Sequence, residues 1–199
     1  MSGTSMATPL TAGTVALLRQ YFATKEGTSN PSAALLKAAL VSGTVDLSAP
    51  TQEFGFGRVD LERTVFGLND SHGLQFDDMK TGISMGTDQT YTISVGSGSS
   101  PVVVTLAWSD APGNPAADPA AAQLVNNLDL ELVDGSGTIY YPNGLADDDA
   151  VNNAERIVLS APAPGTYTVH VIGRNVPQGP QPYALIYGQA PARAVAKSV

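Results

Sequence analysis

The hydrophobic period of the chain changes once, about a third of the way along. Over residues 6–22 the apolar and small side chains Ala7, Leu10, Ala12, Gly13, Val15, Ala16, Leu17 and Leu18 fall on nearly every face of a helical wheel. The stretch reads as a helix capped by Thr4 or Ser5, with Pro9 in the first turn, where a missing N–H is tolerated. A helix with no polar side belongs in the interior of something larger. A second helix is predicted over 33–41, with Ser29 or Asn30 as cap, Pro31 at its first position and Ser42-Gly43 as its end. The glycine-rich run from Phe54 to Leu61 leads into a third, short helical piece over 61–66.

From about Leu74 the period becomes two. Strands are predicted over 74–79, 89–95, 102–108, 125–133, 138–141, 155–159, 166–172 and 183–187. Turns rich in Gly, Pro, Asn and Asp separate them, with Asp134-Gly135 at a hairpin. About eight strands is the number expected of a jelly roll. The pattern therefore predicts an α+β chain divided by domain: a helical part over 1–70, an all-β sandwich or barrel over 71–190 and a tail over 191–199. The helical part has no strand of its own to pack against, so its cover is expected to lie outside the chain.

Composition narrows the function classes. The absence of cysteine in 199 residues excludes disulfides, thiolate chemistry and Cys-ligated zinc. A net charge of −8 argues against nucleic acid, which needs a basic face. No apolar run reaches the ~18 residues of a membrane span, and residues 1–13 lack the basic and apolar blocks of a secretory signal. The acidic excess lies in the later part, at Asp77, Asp78, Asp110, Asp118, Asp129, Asp134 and the run Asp147-Asp148-Asp149. Such groups form a solvated surface or supply ligands for a hard cation.

The start of the first helix holds the candidate chemistry. A serine in the first turn of a buried helix sits among N–H groups that the helix leaves unpaired, at the positive end of its dipole. The N–H of Ser5 can face the carbonyl oxygen of a peptide bond under attack, Gly3 leaves room for a substrate backbone, and Thr4 adds a hydroxyl. For an arbitrary serine in this place, a plain N-cap is the commoner role.

The string Gly3-Thr4-Ser5-Met6-Ala7-Thr8-Pro9 changes that balance, because it resembles the G-T-S-M-A-x-P nucleophile motif of the subtilisin-like (S8) serine peptidases. The resemblance continues through the long apolar helix, the Pro31 helix and Gly55-Phe56-Gly57-Arg58-Val59-Asp60, which is similar to the G-x-G-x-V-(N/D) segment that closes the family's catalytic domain. Downstream, Leu106 to Pro112, Leu124 to Leu130, Tyr140 to Gly144, Pro164 to Val169 and Asn175 to Gln181 are similar to the β-barrel appended to a bacterial subgroup of these enzymes. The resemblance implies the C-terminal helical part of a subtilisin-type α/β catalytic domain followed by a jelly roll. It also implies a serine endopeptidase with Ser5 as nucleophile, Gly3, Thr4 and Ser5 at the substrate and oxyanion position, a polypeptide substrate and an extracellular bacterial setting.

In such enzymes the triad runs Asp, His, Ser along the chain, so both partners of Ser5 are expected upstream, in a missing N-terminal part of the catalytic domain. Neither His72 nor His170 stands in the family's H-G-T-H motif. The chain alone is accordingly expected to be inactive. A structural calcium ion is expected at the acidic sandwich end, with Asp110, Asn127 and Asp129 as candidate ligands and no organic cofactor. The reading from a different class is a non-catalytic β-sandwich module that binds carbohydrate or protein behind a helical leader, which would leave the Gly3 to Pro9 string without a use.

Overall fold

A computed structural model describes residues 3–46, 55–68, 73–97, 100–118 and 121–191. It contains α1 (Thr4–Thr24), α2 (Ala33–Ser42) and α3 (Leu61–Leu68), followed by β1 (Leu74–Ile83), β2 (Asp88–Val95), β3 (Val102–Trp108), β4 (Asn127–Val133), β5 (Ile139–Tyr140), β6 (Ala154–Leu159), β7 (Gly165–Asn175) and β8 (Gln181–Gln189). The protein is α+β: helices first, then a β-rich region in which the strands pair antiparallel.

Both longer helices start away from their expected caps. Gly3, not Thr4 or Ser5, precedes α1, and its carbonyl accepts from the N–H groups of Met6 at 3.1 Å and Ala7 at 3.2 Å. Ser32, not Ser29 or Asn30, caps α2, its hydroxyl accepting from the N–H of Leu35 at 3.0 Å. The reason is tertiary. The carboxylate of Asp78 in β1 accepts the Ser32 N–H at 3.0 Å and holds that residue extended, so the helix begins only afterwards.

Pairing places the strands in two four-stranded sheets, ordered β1-β8-β3-β6 and β2-β7-β4-β5. Between them lies the main core. Val104, Leu106 and Trp108 of one sheet meet Leu128, Leu130, Leu132, Val169 and Val171 of the other, as the alternation requires. β3 is buried at every position because its second face is covered too. There Val103 and Ala107 join Ala184 and Ile186 of β8 against Leu35, Ala38 and Ala39 of α2. Alanines on both sides let the helix approach the sheet closely.

α2 thus has a strand to pack on, contrary to the expectation for the helical part. The front of α1 does not. Leu18 and Phe22 are its fully buried residues, Phe22 standing edge-on to Phe76 of β1 with centroids 5.1 Å apart. Leu10 is 74% exposed and Leu17 53%. The hydroxyls of Thr8, Thr11 and Thr14 bond back to the carbonyls of Thr4, Ala7 and Leu10, so these side chains satisfy their polar groups within the helix itself.

The glycine-rich segment before α3 is pinned by an antiparallel bridge between Val45 and Arg58. Gly57 has φ +100° there, and a Cβ on it would stand 2.2 Å from the carbonyl oxygen of Val45. The bridge requires glycine at this position. The expected domain boundary at 69–73 falls mostly on residues outside the described ones, as do His72 and the tail from residue 192.

Candidate active site

Gly3, Thr4 and Ser5 stand together at the exposed start of α1. Gly3 is extended, with φ 161° and ψ 165°, and no side chain caps the helix. The N–H groups of Thr4 and Ser5 belong to the first turn, where the helix itself provides no acceptor. The dipole of a 21-residue helix adds partial positive charge at the same place. An oxyanion presented here meets donors already in position.

His170 does not serve this serine. His170 lies on β7, on the side opposite the core residues Tyr167, Val169 and Val171, with its Nδ1 2.8 Å from the carboxylate of Asp88. That is the outer face of β2-β7-β4-β5, whereas the helices cover the outer face of the other sheet. Two sheets and a helix layer, each pair about 10 Å apart, put His170 roughly 20 Å from α1.

The acidic end of the sandwich brings together two of the three candidate metal ligands. Asn127 donates from Nδ2 to Asp129 at 2.9 Å. Asp129 is fully buried although it points away from the core, because Arg174 covers it. The Arg174 guanidinium pairs with Asp129, with Asp148 at 2.5 Å and with Glu131 at 4.0 Å. Burial raises the pKa of Asp129 and the charge of Asp148 adds to it, against the hydrogen bond from Arg174. Asp110 is occupied elsewhere. Its carboxylate accepts the backbone N–H groups of Ala111 at 2.8 Å, Val125 at 2.6 Å and Asn126 at 2.9 Å, tying the end of β3 to the approach to β4. Among the described residues, no three acidic or histidine side chains are spaced to hold a metal ion.

Three groups that the sequence pattern did not single out organise this region. Glu155 on β6 is fully buried and reaches across the sandwich to accept the N–H of Leu130 on β4 at 2.8 Å. Burial, and then the charges of Asp149, Asp129 and Asp148, push its pKa up to about 10. It is therefore a neutral bridge at ordinary pH. Arg156, one residue on, donates to the hydroxyl of Thr44 at 2.8 Å and toward the carbonyls of Thr44 and Phe56, both at 3.5 Å. Burial lowers its pKa to about 10. Lys37 of α2 donates to the side chain of Asn153 at 2.6 Å and to its carbonyl at 3.2 Å. These last two contacts fasten the helical front to β6. Their one sequence signal was a charge inside an otherwise apolar run.

Comparison with known proteins finds likenesses in two parts of the chain. Residues 1–58 match the model of the subtilase family, and residues 87–173 match that of the bacterial pre-peptidase C-terminal domain. Two relatives from Dictyostelium discoideum, the serine protease/ABC transporter B family proteins tagA and tagB, are 30% and 28% identical over 94% of this chain. The chain spans only 12% and 13% of their lengths. A crystal structure of a protein from Sulfurospirillum deleyianum overlaps 60% of this chain and 98% of its own at TM-score 0.34 and 9% identity, too loose a likeness to bear on the fold. With a subtilase segment at its front and a pre-peptidase C-terminal domain behind, the chain is of the subtilisin-like peptidase family, of the kind that carries an appended C-terminal domain.

Proposed function

We propose that the chain is the nucleophile-bearing part of a serine endopeptidase. Ser5 attacks the peptide carbonyl and forms the acyl-enzyme, and the first-turn N–H groups of α1, with Gly3 and Thr4 beside them, receive the oxyanion. The observation that carries this reading is the Gly3 to Pro9 string seated at an exposed helix start, with the serine in its first turn. The histidine base and its aspartate come from a part of the catalytic domain outside this sequence, which also covers the apolar front of α1. Residues 1–70 form the closing portion of that domain, and 71–190 a jelly roll, in keeping with the orders β1-β8-β3-β6 and β2-β7-β4-β5. The setting proposed is extracellular. No helix among the described residues is long and apolar enough to cross a membrane.

Co-expression of the chain with the upstream half of a subtilase catalytic domain, followed by turnover of a peptide substrate, tests the assignment. Activity is expected only from the pair. Ser5→Ala is expected to lower it by a factor on the order of 10⁶, the cost of losing the nucleophile in subtilisin. Activity retained by that variant would refute the role of Ser5.

We also propose a structural calcium ion at the acidic sandwich end. Its support is a pair of buried oxygens with no partner, on Asn127 and Asp148, around the Asp129–Arg174 cluster. Asp110, engaged with three N–H groups, would contribute only through its remaining lone pairs. Oxygen donors of this kind suit calcium, which would hold the Asp147–Asp149 loop to β4. A melting temperature unchanged between calcium and chelator would exclude it.

A further inference from the structure

β6 and β5 each form one edge of their sheet, β1 and β2 being the opposite edges, and a groove is lined by residues of both β5 and β6. It is an open groove of about 430 Å³, within the range of ligand sites, lined by Ile139, Tyr140, Tyr141 and Leu145 together with Arg156 to Leu159 of β6. Its apolar side chains are unusually open: Ile139 is 42% exposed, Leu145 48% and Val158 42%.

The backbone of β6 shows what shape of partner fits. Trp108 N–H donates to the Asn153 carbonyl, while Arg156 N–H donates outward to the side chain of Asn143 at 3.0 Å. Antiparallel pairing alternates, so Ala154, Arg156 and Val158 turn their peptide groups away from β3. The carboxamide of Asn143 already fills the first slot, accepting from Arg156 N–H and donating to the Ala154 carbonyl at 3.1 Å. The next slot, between the Arg156 carbonyl and the Val158 N–H, has the same two-residue spacing and faces the groove.

Charge indicates the partner's chemistry. Tyr140 donates to Asp134 at 3.2 Å, and Asp147 follows the groove residue Ala146. Desolvation raises the pKa of the Tyr141 phenol, and the charges of Glu131, Asp147 and Asp148 add to it. The cation that lines the groove, Arg156, is turned to Thr44 and Phe56. We propose that this edge docks an extended polypeptide segment, apolar in the middle and basic at its flanks, which adds to β6 as a further strand. Main-chain bonds at Arg156 and Val158 would hold the segment, Ile139, Leu145 and Val158 would take its apolar side chains, and Asp134 and Asp147 its basic ends. The proposal is independent of Ser5 chemistry, since it concerns binding without cleavage.

The test uses the 199-residue chain and a fluorescent peptide of sequence acetyl-Lys-Val-Thr-Val-Thr-Lys amide, read by anisotropy. Saturable binding is expected below about 1 mM, weakened about tenfold or more by N-methylation of the central peptide bonds and likewise by glutamate in place of the lysines. Val158→Pro, which removes the outward N–H, is expected to cause the same loss with an unchanged melting temperature. If that variant does not fold, hydrogen exchange at Val158 reads the same contact in the native chain, and slowing of about tenfold on adding peptide is expected. Absence of binding, equal binding of the N-methylated peptide or unchanged exchange at Val158 would each overturn the proposal. So would a dimer formed through β6 that the peptide does not displace.

Discussion

Every residue of β3 is buried, down to Trp108 at 1% exposure, whereas in α1, three times as long, full burial is reached at Leu18 and Phe22. β3 is the more apolar segment, but the two also differ in what faces them. β3 has a sheet on one side and α2 on the other. α1 touches the rest of the protein through its C-terminal half and presents Met6 and Leu10 at its N-terminal half, where Ser5 stands, with Leu17 exposed just beyond its middle. The β-sandwich covers its own core, whereas the front of α1 is left open among the described residues.

Substitutions in the two regions should separate them. Trp108→Ala removes the largest side chain of the sandwich core and leaves the carbonyl of Asn126 without its indole donor. A loss of about 3–5 kcal/mol is expected in denaturant melts. Arg156→Ala, at the seam between the regions, strands the buried acceptors on Thr44 and Phe56. It is expected to cost about 2 kcal/mol and to admit proteolysis near residues 44–58 before the sandwich unfolds.

Glu155→Gln should act through pH. The folded pKa of Glu155, about 10, stands above its ordinary 4.5, so the native state holds the proton more tightly than the unfolded chain. Its contribution is complete below about pH 4.5 and declines as pH rises toward 10, by at most about 1.4 kcal/mol per unit. The glutamine variant, keeping an acceptor for Leu130, should melt like the parent at pH 5 and above it at pH 9 in the presence of chelator. Parallel pH profiles would contradict a proton on this bridge. Leu10→Ser, on the open front of α1, should change stability by less than about 0.5 kcal/mol while raising solubility. A large loss would mean that the helix front is already covered.

Much of this was legible in the sequence, for identifiable reasons. Period-two alternation from Leu128 to Leu132 and from Tyr167 to Val171 marks faces that are in fact buried, and eight strands formed near their expected places. The string Gly3 to Pro9 marked the helix start because its residue types serve one location. Contacts between distant segments were not legible. The N–H of Ser32 is held by Asp78, 46 residues away, and this moves the start of α2 past Pro31. Asp129 alternates with the inward leucines of β4 and is buried all the same, because Arg174 folds over it from β7. Glu155 and Arg156 looked like ordinary strand charges, yet one bridges the two sheets and the other clasps the helical front. Periodicity reports which face a residue occupies, not what a long side chain from another strand does to that face.

The most direct test is where a serine-directed fluorophosphonate goes. Digestion and mass spectrometry of the chain, alone and paired with the upstream half of a subtilase catalytic domain, should place the label on Ser5 in the pair and nowhere in the isolated chain. Efficient labelling of the isolated chain, or a labelled pair in which Ser5 stays unmodified, would contradict the account.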